Sequence, residues 1–130
     1  MLSFSGSLKI LVAVEPCDMR KGFNGLYAAV TERLGEDPKG GALYVFCNRR
    51  HNRLKILYWD GTGFCIWYKR LERGSFQRPA AVAGEEQPDL ELSMAQLSLM
   101  LQGIDLTSVR QRLRFHRLPA ETAGMQGDQY

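Results

Sequence analysis

The sequence predicts an α+β fold: a small antiparallel meander sheet with an N-terminal strand and a packed amphipathic helix, plus a short C-terminal helix. Three observations carry this reading. Short apolar, aromatic runs at residues 43–46, 54–59 and 64–69 are separated by turn-forming segments. A run rich in branched apolar residues, 8–14, precedes them. Between these, Met19, Phe23, Leu26, Val30 and Leu34 recur at steps of 4, 3, 4 and 4, one apolar stripe along a helix.

Each element follows in order. Residues 8–14 read as a buried strand that Pro16 ends. Asp18 has the chemistry of a helix N-cap, since its carboxylate can accept from the free N–H groups of the next turn. The helix is then expected over 18–34, stopped by Gly35 and Asp37-Pro38. Gly22 and Gly25 fall inside it, each costing about 1 kcal/mol relative to alanine. Close packing on the sheet or a phosphate near the helix start would account for them. Residues 48–52 (Asn-Arg-Arg-His-Asn) have the composition of a hairpin loop. Asp60-Gly61 suits the positive φ angles of a tight hairpin.

Residues 80–89 are small, polar and turn-prone, and are expected to form a mobile linker or long loop. Leu90-Glu91-Leu92 alternates as a short strand would. Ser93 and Gln96 have capping-box spacing, with Leu97, Met100 and Leu101 as the apolar face and Gly103 as the stop. The chain is thus read as one core domain, 1–106, followed by an arginine-rich tail, 107–130. A chain of 130 residues can bury roughly two-thirds of its unfolded surface, enough for a core without staples.

No apolar run approaches the ~18–20 residues of a membrane helix. Three cysteines without paired spacing fit a reducing compartment. Both point to a cytoplasmic protein with no membrane partner. The charge is uneven. Arg49, Arg50, Arg53, Lys55, Lys69, Arg70, Arg73 and Arg78 face only Asp60 and Glu72 within residues 47–79, a net of +6 in a chain whose formal charge is +3. Strand direction in a meander brings the first turn (Arg49, Arg50, His51, Arg53) and the end of the third strand (Lys69, Arg70, Arg73) to one end of the sheet. One continuous basic patch beside aromatic strands is what a polyanion-binding element needs. The plainer account is a solvated sheet end. The interleaved Tyr44, Phe46, Tyr58, Trp59, Trp67 and Tyr68 could stack unpaired bases, or fill the core and tie cross-strand pairs.

Other chemistries are poorly supported. Cys47, His51 and Cys65 would supply three zinc ligands at most, without a C-x-x-C pair. Asp18, Asp60, Glu72 and Asp105 each have a simpler local task than holding a divalent metal. No phosphate loop or triad order occurs. No cofactor, no metal and no catalytic residue are expected.

Several segments resemble a known family. Asp18-Met-Arg-Lys-Gly-Phe23 with Gly25-Leu26 is similar to the signature of the insertion sequence 66 accessory protein, often called TnpB or the second open reading frame product. Val45-Phe46-x-Asn48-Arg49-Arg50, residues 54–64, residues 69–79 and Leu101-x-Gly103-Ile104-Asp105 extend the resemblance over about 8–106. Arg78 departs from it, because many relatives carry an aromatic residue there. The resemblance adds Arg20 and Lys21 to the candidate residues. It implies a bacterial mobile-element protein encoded beside a separate transposase, and no relation to the RNA-guided nuclease also called TnpB. The expected function is non-catalytic help in transposition, with DNA bound through the basic hairpin patch at element ends or target. The expected partners are DNA, the transposase and the element's other accessory protein, at the nucleoid. Self-association is left open. The alternatives are an adaptor that binds the transposase without touching DNA and, less favoured, a metal-dependent nuclease.

Overall fold

The run Leu43–Cys47 is apolar at every position because it lies mid-sheet with both faces covered. The structure, a computed structural model, describes residues 8–77 and 87–103. Its elements are β1 (Ile10–Ala13), α1 (Phe23–Ala28) running into a π-helical segment (Ala29–Leu34), β2 (Leu43–Cys47), β3 (Arg53–Trp59), β4 (Phe64–Arg70), β5 (Asp89–Leu92) and α2 (Met94–Gln102). The sheet order is β4-β3-β2-β1-β5. The meander β2-β3-β4 is antiparallel, as the sequence predicts. β1 adds to it in parallel, joined through α1, and β5 pairs antiparallel on the far side of β1. The sheet is therefore mixed.

Alternation divides the core into two layers. On one face Leu26, Ala29, Val30 and Leu34 pack against Leu11, Ala13, Tyr44, Phe46 and Leu57. On the other, Leu97 and Met100 of α2, with Phe76, cover Ile10, Val12, Val45, Leu54 and Ile56. Side chains of this size contribute about 1.5–3 kcal/mol each when fully buried, so the two layers supply most of the fold's stability. Adjacent aromatics on a strand point to opposite faces. Tyr58 packs in the α2 layer, whereas Trp59 pairs with Phe64 of the α1 layer.

The helix start differs from the sequence reading. Gly22, not Asp18, occupies the N-cap, and the first helical bond runs from the Leu26 N–H to the Gly22 carbonyl at 2.9 Å. Asp18 instead accepts from the Arg20 N–H at 2.9 Å and grips the Arg20 guanidinium. The carbonyls of Met19 and Lys21 are turned toward Lys55, at 2.8 and 2.7 Å, and so are not free to start a helix. Phe23, expected in the apolar stripe, is 52% exposed. Gly25 lies within the helix, and an added Cβ would meet Lys21 Cβ at 2.9 Å. The expected close packing of Gly22 and Gly25 on the sheet is therefore not found: the neighbour at Gly25 is Lys21, one turn earlier, and a Cβ at Gly22 would meet nothing within 4 Å.

The stop at Gly35 is as expected, with φ of 67°. The π-helical second half has no signal in the apolar spacing. Thr31 donates from its hydroxyl to the Tyr27 and Ala28 carbonyls there, a back-bond that loosens the regular ladder. Ser93 and Gln96 form the reciprocal capping box on α2. The expected linker at 80–89 lies largely outside the described residues, as does the arginine-rich tail.

Candidate nucleic-acid interface

Three segments meet at the open end of the meander. The first is the β2–β3 loop, which Asn48 organises. Its side-chain oxygen accepts from the N–H groups of Asn52 and Arg53, each at 3.0 Å, and its amide donates to Asn52 Oδ1 at 2.7 Å. His51 closes the loop at φ 58°, in the left-handed region, and its N–H donates to the Asn48 carbonyl. This geometry leaves Arg49 and Arg50 exposed at the tip, where they make no hydrogen bond or ion pair with the described residues.

The second segment follows β4. The Leu71 N–H donates to the Asn52 carbonyl at 2.8 Å and the Phe76 N–H to the His51 carbonyl at 2.7 Å, so 71–76 is strapped to the loop. Arg53 and Arg70 are direct cross-strand partners, both exposed. The neighbourhood of the two basic clusters, expected from strand direction, is present.

The third segment, 16–22, carries Arg20 and Lys21, which only the family resemblance adds to the candidates. The Cys17 N–H donates to the Cys47 carbonyl at 2.8 Å, and Lys55 holds the Met19 and Lys21 carbonyls. A cleft of about 560 Å³ separates this segment from the hairpin loop, lined by Pro16, Asp18, Asn48, Arg49, Arg50 and Arg53 among others. Arg20 and Lys21 thus join the same end of the molecule. The Arg20 guanidinium holds the Asp18 carboxyl down at about 2, so this pair is nearly self-neutralised.

The cations are not equivalent. Lys55 is buried, at 9% exposure, and its ammonium is engaged by two carbonyls. Lys69 lies on the opposite face and donates to the Leu101 carbonyl at 2.8 Å, in the last turn of α2, where a cation is favoured. Arg70 reaches Glu72 at 3.2 Å in an exposed pair of little energetic weight. Arg73 is exposed, and Arg53 donates to the Tyr68 hydroxyl at 3.3 Å. Arg78 lies outside the described residues. Composition does not separate pinning lysines from surface ones. The available signal is Lys55 within Leu54-Lys55-Ile56-Leu57, because a lysine amid a buried strand needs partners.

Among the described residues, no group of three or more His, Cys, Asp or Glu side chains could hold a metal ion. Cys47 is packed in the core, and burial raises the Cys17 thiol pKa. No helix among the described residues is long and apolar enough to cross a membrane.

The fold and this end of it define a small α+β protein that gathers cations from three segments at one end of its sheet, with a cleft between two of them. The chain belongs to the family described as "IS66 Orf2 like protein", whose sequence pattern matches residues 8–111. It is 39% identical to the uncharacterized protein y4jC of Sinorhizobium fredii (strain NBRC 101917 / NGR234) over 112 residues, 86% of this chain and 92% of that one. It is 40% identical to the uncharacterized protein y4hO of the same organism over 105 residues, 81% and 88% of the two chains. No solved structure matches it. The family places the chain among insertion-sequence proteins and associates it with transposition.

Proposed function

We propose that the protein is a non-catalytic accessory factor that binds DNA during transposition, at the nucleoid and alongside the element's separately encoded transposase and other accessory protein. The observation that supports this best is the convergence of Arg49, Arg50, Arg53, Arg70, Arg73 and Lys21 on one end of the molecule. Phosphates are the polyanion that such a surface fits in a mobile element. Backbone contacts of this kind position a protein without reading bases, so the surface supports binding more than sequence readout.

The test is binding of the purified protein to element-end and random duplexes across a salt series. Six neutralised phosphates give a slope of log affinity against log salt near −5. Similar slopes on both duplexes are expected, and a slope near zero would remove DNA from the function.

A second reading, an adaptor for the transposase, draws on Phe23 and Tyr27 of α1, which are 52% and 41% exposed. Tyr27 packs edge-on against Phe64 and extends this apolar surface. Co-purification with the transposase in DNA-free, high-salt buffer would favour it, and failure to associate would argue against it.

A further inference from the structure

Tyr68 projects from β4 on the α1 side of the sheet, opposite Lys55. Its ring lies over the Lys55 ammonium, with 4.9 Å from nitrogen to centroid. Its hydroxyl accepts from Arg53 Nη1 at 3.3 Å. The ammonium beneath it is itself fixed by the Met19 and Lys21 carbonyls. The ring is therefore held from below and at its rim, and the residue is still 47% exposed. Arg70 follows two residues along the same face of the strand, opposite Arg53. Trp67, the neighbouring aromatic, faces the α2 side and shares none of this.

We propose that Tyr68 is a stacking platform for an unpaired DNA base, so that the protein engages single-stranded or locally opened DNA in addition to duplex. The proposal rests on the DNA-binding reading above and extends its substrate to unpaired DNA. A base inside a duplex has both faces covered by its neighbours. Within a DNA strand away from its ends, the exposed face of a fixed ring is covered by a base that has left the stack. Such stacking is indifferent to base identity, because every base has a π-face. Arg53 and Arg70 stand beside the ring to take the flanking phosphates, which matches a polyanion carrying free bases. A ring already held in place loses little conformational freedom on binding. A tyrosine serving only as a strand former would need none of these contacts to cations.

The experiment compares a short oligothymidylate strand with a mixed-sequence duplex of the same length, using wild type, Tyr68→Ala and Tyr68→Phe. Tyr68→Ala is expected to weaken single-strand binding by about 5- to 100-fold while the duplex affinity holds. Tyr68→Phe keeps the ring and should keep single-strand affinity. Because Tyr68→Ala could disturb the sheet, wild type is also photo-cross-linked to a strand carrying 5-iodouracil. The cross-link is expected at Tyr68. Equal losses on strand and duplex, no loss on the strand, or cross-links confined to other residues would each overturn the stacking role. If the stacking role fails while duplex binding keeps its salt slope, the DNA-binding reading survives. If wild type binds neither ligand, both readings fall.

Discussion

Arg53 and Arg70 stand directly opposite each other across β3 and β4, both exposed, in the one sheet that also carries the fold's core. Like charges in direct cross-strand register destabilise a sheet. Glu72 offsets this only weakly, since its pair with Arg70 is exposed. The arrangement makes sense if a polyanion lies across both. Arg70→Glu should then raise stability by about 0.2–1 kcal/mol at low salt and lower DNA affinity. Urea unfolding and a binding titration on the same variant check it. A variant that is less stable and binds unchanged would show that the pair has no such role.

Lys55 is expected to matter for structure before it matters for binding. Replacing it by methionine keeps its length but leaves two carbonyls without their donor. The expected loss is roughly 2–3 kcal/mol. Amide exchange should rise first in residues 16–22, the segment Lys55 holds. Unchanged exchange there would contradict the pinning role.

Lys69 should act on α2 instead. Lys69→Met removes the cation from the helix C-terminus and should cost about 1 kcal/mol, read by urea unfolding, with DNA affinity preserved. A fall in affinity with intact stability would return Lys69 to the binding surface.

Asp18 gives a pH signature. Its folded pKa is depressed to about 2, chiefly by the side-chain hydrogen bond from Arg20. A depressed carboxylate contributes stability above its unfolded value, and that contribution is lost as pH falls through the folded value. Order in the 18–20 turn should therefore persist at pH 4 and fade toward pH 2. Carboxyl chemical shifts across that range report it, and Asp18→Asn should abolish the transition. A midpoint near 4 would contradict the Arg20 contact.

The parts legible in the sequence are those set by local chemistry. Asp60 accepts from the N–H groups of Thr62 and Gly63, and Gly61 takes φ of 104°, as an Asp-Gly turn demands. The Ser93 box and the meander order follow from neighbours in sequence. The helix start is not legible in the local sequence because a residue 36 positions away decides it. Lys55 draws the Met19 carbonyl, and Arg20 occupies Asp18. Arg20 and Lys21 entered the candidate site through the family resemblance alone, because the Lys55 contacts that hold segment 16–22 against the hairpin leave no local signal in the sequence. Strand alternation brings the clusters of Arg53 and Arg70 to one end of the sheet, and the register of β3 with β4 then sets the two residues directly opposite.

The most direct measurement of the central claim is the salt slope of duplex binding for wild type and for a protein with Arg49, Arg50, Arg53 and Arg70 all changed to alanine. Six phosphate contacts reduced to two should bring the slope from about −5 to about −2, with affinity falling on every sequence alike. An unchanged slope and affinity would contradict the claim that this end of the sheet binds DNA.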